Sequence, residues 1–193
     1  MPSLVGSEMC IRDRFRGDRM NPWHDIDPKR ITPDRFFAVI EISSGSKNKY
    51  ELDKETGLLK LDRILFTSTH YPANYGFIPL TYADDDDPLD VLVLCTEKII
   101  PMTLVECVPI GVIRMMDQGS SDAKIIAVCA HDPFYSNYKD IKELPNHVFE
   151  EIKHFFQVYK TLEGKDTIVS SIEPKEQAIK EIAYTIERYN QKF

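Results

Sequence analysis

The densest group of chemically capable side chains is the run Asp84-Asp85-Asp86-Asp87-Pro88-Leu89-Asp90, which places five carboxylates within seven residues. Two unit charges ~4 Å apart repel by about 1 kcal/mol in water and by about 4 kcal/mol at an effective dielectric constant of 20. A rigid cluster of this kind needs cations, and a ligand set made only of oxygens favours hard ions such as Mg²⁺ or Ca²⁺. The alternative is a solvated acidic turn.

Two features of this run favour a metal site. Pro88 stiffens the turn, and Asp90 opens the apolar segment 91–94, so a buried strand would aim its carboxylate. An EF-hand loop requires Gly at its sixth position and Glu at its twelfth, and this spacing is absent from the run. The pattern therefore predicts an open Mg²⁺ site rather than a calcium cage.

Other polar groups accompany the first apolar strand and the loop before the acidic run. Residues 36–42 are rich in β-branched and aromatic residues and predict a strand, in which Glu41 is either an edge-strand charge or a site residue. In the predicted rigid loop that follows, the proline after Tyr71 favours extended backbone, and Gly76 permits a tight bend that turns the Tyr75 hydroxyl inward. The alternative for both tyrosines is ordinary packing.

A predicted hairpin lies between these two segments. Alternation along residues 49–52 places Lys49 and Glu51 on the same face of its first strand. The return strand, residues 58–66, carries Arg63 on an otherwise apolar face. This position indicates either an ion pair or an anion-binding site.

A second acidic turn follows the next long strand. Residues 104–116 predict that strand, with a bend or bulge at Pro109-Ile110-Gly111, and it leads into the turn at residues 117–122. Alternation places Asp122 and Lys124 on one face of the strand that comes after it. A surface hairpin loop would explain the same pattern.

The remainder of the chain is predicted to be helical. Apolar residues spaced i, i+3, i+4, i+7 from Ile152 predict a helix over about 145–161, which turns Tyr159 inward and leaves Lys160 at its flank. The alternative is a core tyrosine beside a lysine whose stem covers apolar surface. A final helix begins at about Pro174. Short strands followed by helices predict an α+β fold whose β element is a small antiparallel barrel.

Composition limits the functional classes. The chain has 193 residues, 42% hydrophobic and 28% charged, which is typical of a globular domain. We expect a single domain over residues 20–193, and we interpret residues 1–19, which lack helical or strand periodicity, as a non-native or disordered extension. The net charge of −7 argues against a general nucleic-acid binder, which would be basic.

Cysteine usage and hydropathy indicate where in the cell the protein is expected. The four cysteines show no Cys-x-x-Cys spacing, and three of them lie in apolar runs, which indicates reduced thiols and a cytoplasmic protein. No apolar stretch reaches the roughly 18 residues that a membrane span needs. We therefore expect no membrane partner.

Taken in order, several blocks resemble the soluble family I inorganic pyrophosphatases. The strongest is Asp85-Asp86-Asp87-Pro88-Leu89-Asp90-Val91. The others are Val39-Ile40-Glu41-Ile42, Lys49-Tyr50-Glu51, Asp62-Arg63, Tyr71-Pro72-Ala73-Asn74-Tyr75-Gly76, Asp117 with Asp122-Ala123-Lys124, and Phe155-Phe156-Gln157-Val158-Tyr159-Lys160. The resemblance covers roughly Asn21 to the C-terminus. Asp86 stands where many members carry Gly or Ser, so we expect it not to be a ligand.

The resemblance implies a five-stranded antiparallel barrel like an OB-fold, with flanking α-helices. It implies that pyrophosphate is hydrolysed to two orthophosphates with several Mg²⁺ ions per active site. It also implies a homo-oligomer, for which we favour a hexamer, and no nucleic-acid partner.

The resemblance further assigns a role to each matching residue. Asp87 would be the general base. The metal ligands would be Asp85, Asp90, Asp117 and Asp122, with Glu41 acting through metal-bound water. The groups that hold the phosphate oxygens would be Lys49, Arg63, Tyr75, Lys124, Tyr159 and Lys160, with Glu51 and Tyr71 as supporting residues.

Two other functions compete with this interpretation. A non-catalytic OB-like module would present an exposed basic and aromatic groove for nucleic acid, whereas the basic residues here are scattered singly and accompany carboxylates. A metal-dependent hydrolase of nucleotides or other phosphate esters would share the metal site, and substrate competition would distinguish it.

Overall fold

The apolar segments fold into nine β-strands and two α-helices within residues 20–193, the part of the chain that the computed structural model describes. The predicted extension 1–19 lies outside the described residues. The strands are β1 (Ile31–Thr32), β2 (Arg35–Ile42), β3 (Asn48–Leu52), β4 (Leu59–Ile64), β5 (Asn74–Phe77), β6 (Asp90–Leu94), β7 (Leu104–Asp117), β8 (Ser120–Cys129) and β9 (Thr167–Pro174). The helices are α1 (Asn146–Val158) and α2 (Lys175–Lys192).

Seven strands form one sheet in the order β1-β2-β5-β6-β8-β7-β9, and β2 also pairs with β7. Hydrogen-bonded pairing therefore runs from β2 through β5, β6, β8 and β7 and returns to β2. Strands β3 and β4 form a separate two-stranded hairpin. The α+β class is thus the observed one.

The prediction of a wholly antiparallel β element is wrong at one pairing. Strands β6 and β8 are parallel, with Asp90 opposite Lys124 and Leu94 opposite Val128. The long strand β7 lies between them in sequence and pairs antiparallel with β8. The chain thus reverses twice, and β8 runs beside β6 in the same direction as β6. Local patterning carries no signal for such a crossover.

The core lies on both faces of the central strands. Successive residues of β6 alternate between two apolar clusters: Val91 and Val93 belong to the cluster that includes Ile182 of α2, and Leu92 belongs to the cluster that includes Phe156 of α1. A strand buried on both faces is expected to be a continuous apolar run, as observed here.

Two further expectations change in the structure. The tail after residue 145 is not wholly helical, because β9 pairs with β7 between the two helices. Gly76 lies within β5 rather than at a tight bend, and a Cβ there would lie 1.9 Å from the carbonyl oxygen of Val39 on β2. The glycine is therefore required by the close approach of two backbones.

Several expectations are confirmed. The pairing of β7 with β8 shifts register between Pro109 and Gly111, as the predicted bulge requires. Helix α1 lies within the range 145–161, and α2 follows Pro174 directly. The three described cysteines are free thiols. Neither helix combines the length and the hydropathy needed to cross a bilayer, as far as the described residues go.

Candidate active site

A cleft of about 410 Å³ opens beside the acidic turn. Residues from β2, the β3–β4 hairpin, β5, the acidic turn, β6, the end of β7, β8 and the segment just after α1 line it. Twelve of the fourteen predicted site residues are among them: Glu41, Lys49, Glu51, Tyr75, Asp85, Asp87, Asp90, Asp117, Asp122, Lys124, Tyr159 and Lys160. The fold therefore brings together side chains that lie far apart in sequence.

Lys124 lies at the base of the cleft. The parallel register of β6 and β8 sets it opposite Asp90, and its Nζ is 2.6 Å from Asp90 Oδ2 and 2.9 Å from Asp122 Oδ2. The same Nζ lies 3.1 Å from the hydroxyl of Tyr75. Burial alone would lower the pKa of Lys124, but the carboxylates of Asp122 and Asp90 hold it well above its ordinary value. The ammonium group therefore stays charged.

A second lysine neutralises the turn between β7 and β8. Lys160, just beyond α1, donates a hydrogen bond to Asp117 Oδ2 at 2.5 Å. The other oxygen of this carboxylate, Asp117 Oδ1, is buried without a hydrogen-bond partner. Buried polar atoms are nearly always paired in proteins. Asp117 Oδ1 therefore has a free lone pair for a cation or a donor.

Glu41 is not an exposed edge-strand charge, because it is only 7% exposed and lies at the register shift between β2 and β5. Its side chain is buried and accepts a hydrogen bond from the amide of Leu52 at 2.7 Å. Burial, followed by the nearby charge of Asp90, raises the pKa of Glu41 from 4.5 to about 8. Carrying a negative charge on both Glu41 and Asp90 is therefore costly in this poorly solvated region.

Asp85 shows the same effect at the acidic turn. Burial, then the charges of Asp90 and Asp122, raise its pKa from 3.8 to about 6. Burial and the charges of Asp90 and Asp122 thus make ionisation of Asp85 less favourable. A divalent cation would relieve this repulsion more fully than a proton.

Two predicted residues do not line the cleft. Arg63 Nε donates to Glu163 Oε1 at 2.9 Å, and its Nη1 contacts Asp62. Of the two possibilities left open for Arg63, the structure shows the ion pair. Tyr71 is buried in the apolar core, with its ring centroid 5.3 Å from that of Tyr75.

Lys54, in the turn of the β3–β4 hairpin, is not among the residues predicted from the sequence. Its ammonium group contacts the carboxylate of Asp87 and lies 5.0 Å from the ring centroid of Trp23. Both Lys54 and Trp23 line the cleft. Lys54 is an ordinary turn residue by sequence, and only the tertiary contact distinguishes it from other surface lysines.

The donor set fits a hard divalent cation in its chemistry. Within residues 20–193 no three Asp, Glu, His or Cys side chains are already grouped so that they could hold a metal ion. Lysine ammonium groups lie on the carboxylates instead. The unpartnered oxygen of Asp117 and the raised pKa of Asp85 are the two observations that fit a cation here.

A comparison with known protein families settles the family. Residues 38–190 match the family model described as inorganic pyrophosphatase. The chain belongs to the inorganic pyrophosphatase family. The predicted resemblance to the soluble family I pyrophosphatases is therefore confirmed, and the protein is an enzyme of the inorganic diphosphatase class.

Similar pyrophosphatases occur in plants and algae. The chain is 52% identical over 169 residues to a soluble inorganic pyrophosphatase of Solanum tuberosum, covering 88% of this chain and 80% of the relative. It is 48% identical over 179 residues to soluble inorganic pyrophosphatase 2 of Chlamydomonas reinhardtii, covering 93% of each protein.

Solved bacterial pyrophosphatase structures share the fold. The inorganic pyrophosphatase from Thermus thermophilus matches with a TM-score of 0.85 at 40% identity, covering 89% of this chain and 99% of that one. The Helicobacter pylori enzyme matches with a TM-score of 0.79 at 44% identity, covering 82% and 95% of the two chains.

Proposed function

We propose that the cleft hydrolyses inorganic pyrophosphate to two orthophosphates, with Mg²⁺ as cofactor and Asp87 as general base. The observation that carries this proposal is the mixture of mutually repelling carboxylates and buried lysines in one cleft. Carboxylates suit divalent cations, while lysines and tyrosines suit phosphate oxygens. An acidic protein can bind a highly charged anion through such an arrangement.

The residues that would hold Mg²⁺ are Asp85, Asp90, Asp117 and Asp122, with Glu41 acting through a water molecule. Bound Mg²⁺ supplies two kinds of chemistry: it lowers the pKa of a bound water and it polarises phosphoryl oxygens. The buried, unpartnered Asp117 Oδ1 supports its part in this set. The burial and neighbouring charges that raise the pKa of Asp85 support the part of Asp85.

The lysines would change partners when the carboxylates bind a cation. Lys124 and Lys160 are held at the cleft wall by ion pairs with Asp90, Asp122 and Asp117. With those carboxylates bound to a cation, the ion pairs would be weaker and both ammonium groups could donate to phosphate oxygens. Lys49 also lines the cleft, in contact with Glu51. Phosphoryl transfer depends on such positioning and charge stabilisation.

Two tyrosine hydroxyls complete the set of donors. Burial raises the pKa of Tyr75 well above its ordinary value, and burial likewise raises the pKa of Tyr159. Both hydroxyls therefore keep their protons at neutral pH. The Tyr75 hydroxyl donates to Asp90 in this structure and would turn to a phosphate oxygen once Asp90 binds a cation, without adding negative charge.

Asp87 suits the role of general base because of its place in the turn. Its side chain is 54% exposed, whereas that of Asp122 is 15% exposed. Its backbone amide donates to Asp85 Oδ1 at 3.2 Å, which ties the Asp85 carboxylate to the turn. A carboxylate that is not needed as a ligand can accept a proton from the attacking water.

Arg63 remains a proposed substrate ligand. Its Nη2 is buried without a hydrogen-bond partner, so the guanidinium group has a spare donor. A rotation that releases Asp62 would let this donor reach an anion. Tyr71, packed against Tyr75, would act by fixing the ring that carries the Tyr75 hydroxyl.

We further propose that the ring of pairings from β2 through β5, β6, β8 and β7 is a five-stranded OB-like barrel. We expect a homo-oligomer, with a hexamer as the favoured assembly, which light scattering coupled to size exclusion would measure. The proposed location is the cytoplasm, supported by the free thiols of Cys95, Cys107 and Cys129.

A phosphate-release assay tests the proposal directly. Purified protein is incubated with pyrophosphate and Mg²⁺, with and without EDTA, and orthophosphate is measured over time. We expect two orthophosphates per pyrophosphate, a rate abolished by EDTA and restored by excess Mg²⁺. Pyrophosphate that stays intact in ample Mg²⁺ would contradict the function, and a rate insensitive to EDTA would contradict the cofactor.

Parallel reactions with ATP and p-nitrophenyl phosphate test the competing hydrolase function. A cleft filled by pyrophosphate and its lysines should give little hydrolysis of either compound. Comparable rates with a nucleotide would instead favour a broader phosphatase.

A further inference from the structure

The acidic run presents its carboxylates in two directions. Those that line the cleft are Asp85, Asp87 and Asp90. Asp84 and Asp86 do not line the cleft. Asp86 accepts a hydrogen bond from the hydroxyl of Tyr82, and Asp84 is contacted by side chains of α2. The run therefore has one set of carboxylates for the cleft and another that holds its rear side.

Arg188 of α2 is the centre of the rear contacts. Its Nη1 lies 2.5 Å from Asp84 Oδ1. Its guanidinium carbon lies 5.0 Å from the ring centroid of Tyr82 and 5.6 Å from that of Tyr184. A guanidinium group over aromatic faces gains cation–π attraction and loses rotamer freedom. This ion pair is therefore more rigid than an isolated surface pair, which contributes little.

Neighbouring contacts attach the same helix to the same turn. The hydroxyl of Tyr184 donates to Asp84 Oδ1 at 3.3 Å. The backbone amide of Tyr82 donates to the carbonyl oxygen of Thr185 at 3.0 Å, and the Thr185 side chain is buried. Helix α2 thus binds the chain immediately before the acidic run through both backbone and side chains.

The turn itself needs such support. Asp86 has a φ of +67°, in the left-handed region, which Gly adopts far more readily than residues that carry a side chain. The turn is closed by the Ala83 amide, which donates to the carbonyl oxygen of Asp87 at 2.7 Å. The Tyr82 hydroxyl fixes the Asp86 side chain, and Arg188 lies over the Tyr82 ring. A chain of contacts therefore runs from α2 to the unfavourable residue of the turn.

We propose that Arg188 is a positioning residue for the pyrophosphatase reaction. Through Asp84 and Tyr82 it fixes the turn whose other face carries Asp85 and Asp87 into the cleft. Arg188 lines no part of that cleft, so its effect is indirect. This inference rests on the proposed Mg²⁺-dependent function. Mutation of residues that orient metal ligands typically weakens metal binding by about 10–100-fold. Arg188 acts through Asp84 and Tyr82 rather than on a ligand directly, so we expect an effect of about tenfold.

The test compares two variants of α2 that each lose one positive charge. Arg188→Met removes the stacked ion pair, and Lys180→Met removes an exposed cation elsewhere on the same helix. Mg²⁺ binding to the metal-stripped proteins is measured by isothermal titration calorimetry, and the rate is measured against Mg²⁺ concentration. We expect Arg188→Met to raise the Kd for Mg²⁺ about tenfold while kcat at saturating Mg²⁺ is unchanged. Lys180→Met should behave as wild type.

The possible outcomes distinguish a failure of the positioning role of Arg188 from a failure of the proposed Mg²⁺ cofactor. If Arg188→Met and Lys180→Met titrate alike, the positioning role is wrong. If wild type takes up no Mg²⁺ and hydrolyses pyrophosphate without it, the proposed cofactor fails before Arg188 is tested. Arg188→Lys, which keeps the charge but not the planar stacking group, should give an intermediate Kd. If Arg188→Met does not fold, Asp84→Asn carries the same expectation, and an unchanged Kd in that variant overturns the inference.

Discussion

Replacing Glu41 by glutamine should alter the pH dependence of stability of the metal-free protein. The pKa of Glu41 is about 8 in the folded protein, against an ordinary value of 4.5. Because the folded state favours the protonated form, the stability from this group is complete below pH 4.5. It is lost as the pH rises through 8. Glutamine resembles the protonated acid and can still accept the hydrogen bond from Leu52, so it has no charge to lose.

The size of the effect follows from linkage between proton binding and folding. Between pH 5 and pH 9, a group with these two pKa values lowers the free energy of unfolding by about 4 kcal/mol, at 1.36 kcal/mol per pKa unit. The free energy of unfolding of wild type should therefore fall more steeply over this range than that of Glu41→Gln, by about 3–4 kcal/mol. The two proteins should be similar near pH 5.

Urea denaturation in EDTA measures this difference. The single tryptophan, Trp23, is 4% exposed, so its fluorescence reports unfolding. Protein concentration is held constant because association would add to stability. Glu55→Gln makes the same chemical change at an exposed turn residue and should leave the pH dependence unchanged. Parallel curves for wild type and Glu41→Gln would refute the assignment of a raised pKa to Glu41.

Four further substitutions test the site and the fold. Asp87→Asn should leave Mg²⁺ binding intact and lower kcat at least about a hundredfold; a near-normal kcat would remove Asp87 as the base. Lys124→Met leaves Asp90 and Asp122 without their buried counter-ion, so the metal-free protein should lose about 3–5 kcal/mol in urea denaturation, part of it regained in Mg²⁺. Gly76→Ala forces a methyl group into the Val39 carbonyl and should cost at least about 3 kcal/mol in thermal unfolding. Gly119→Ala, with nothing within 4 Å, should cost only its positive φ, about 1–2 kcal/mol; equal losses for the two glycine variants would contradict the packing argument.

The parts of the site that could be predicted from sequence depend on local rules. Alternation placed Asp122 and Lys124 on one face, and their side chains are in contact. Helical spacing turned Tyr159 inward, and it is buried. In both cases the geometry of one element decides the orientation, so the neighbouring residues carry enough information.

The parts that could not be predicted depend on distant segments. The pairing of β6 with β8 requires β7 to cross between them, and β9 is a half-exposed edge strand with two serines and a glutamate. Lys54 gains its contact with Asp87 only because the hairpin turn folds over the acidic run. The strand pattern around Arg63 is compatible with both an ion pair and an anion-binding site. Its ion pair with Glu163 becomes visible only when the neighbours in space are known.

The alignment of Asp90 with Lys124 across two parallel strands also bears on how the chain folds. If β8 slid by one position, Asp90 would face an alanine or an isoleucine, and the ammonium group would be trapped among aliphatic side chains. Such a misaligned intermediate would carry two desolvated charges without partners, a penalty of several kcal/mol. Asp90 and Lys124, which prepare the cleft for its ligands, thus also discriminate against mispaired strands during folding. Variants selected only for altered catalysis at either position should therefore give a lower yield of correctly refolded protein.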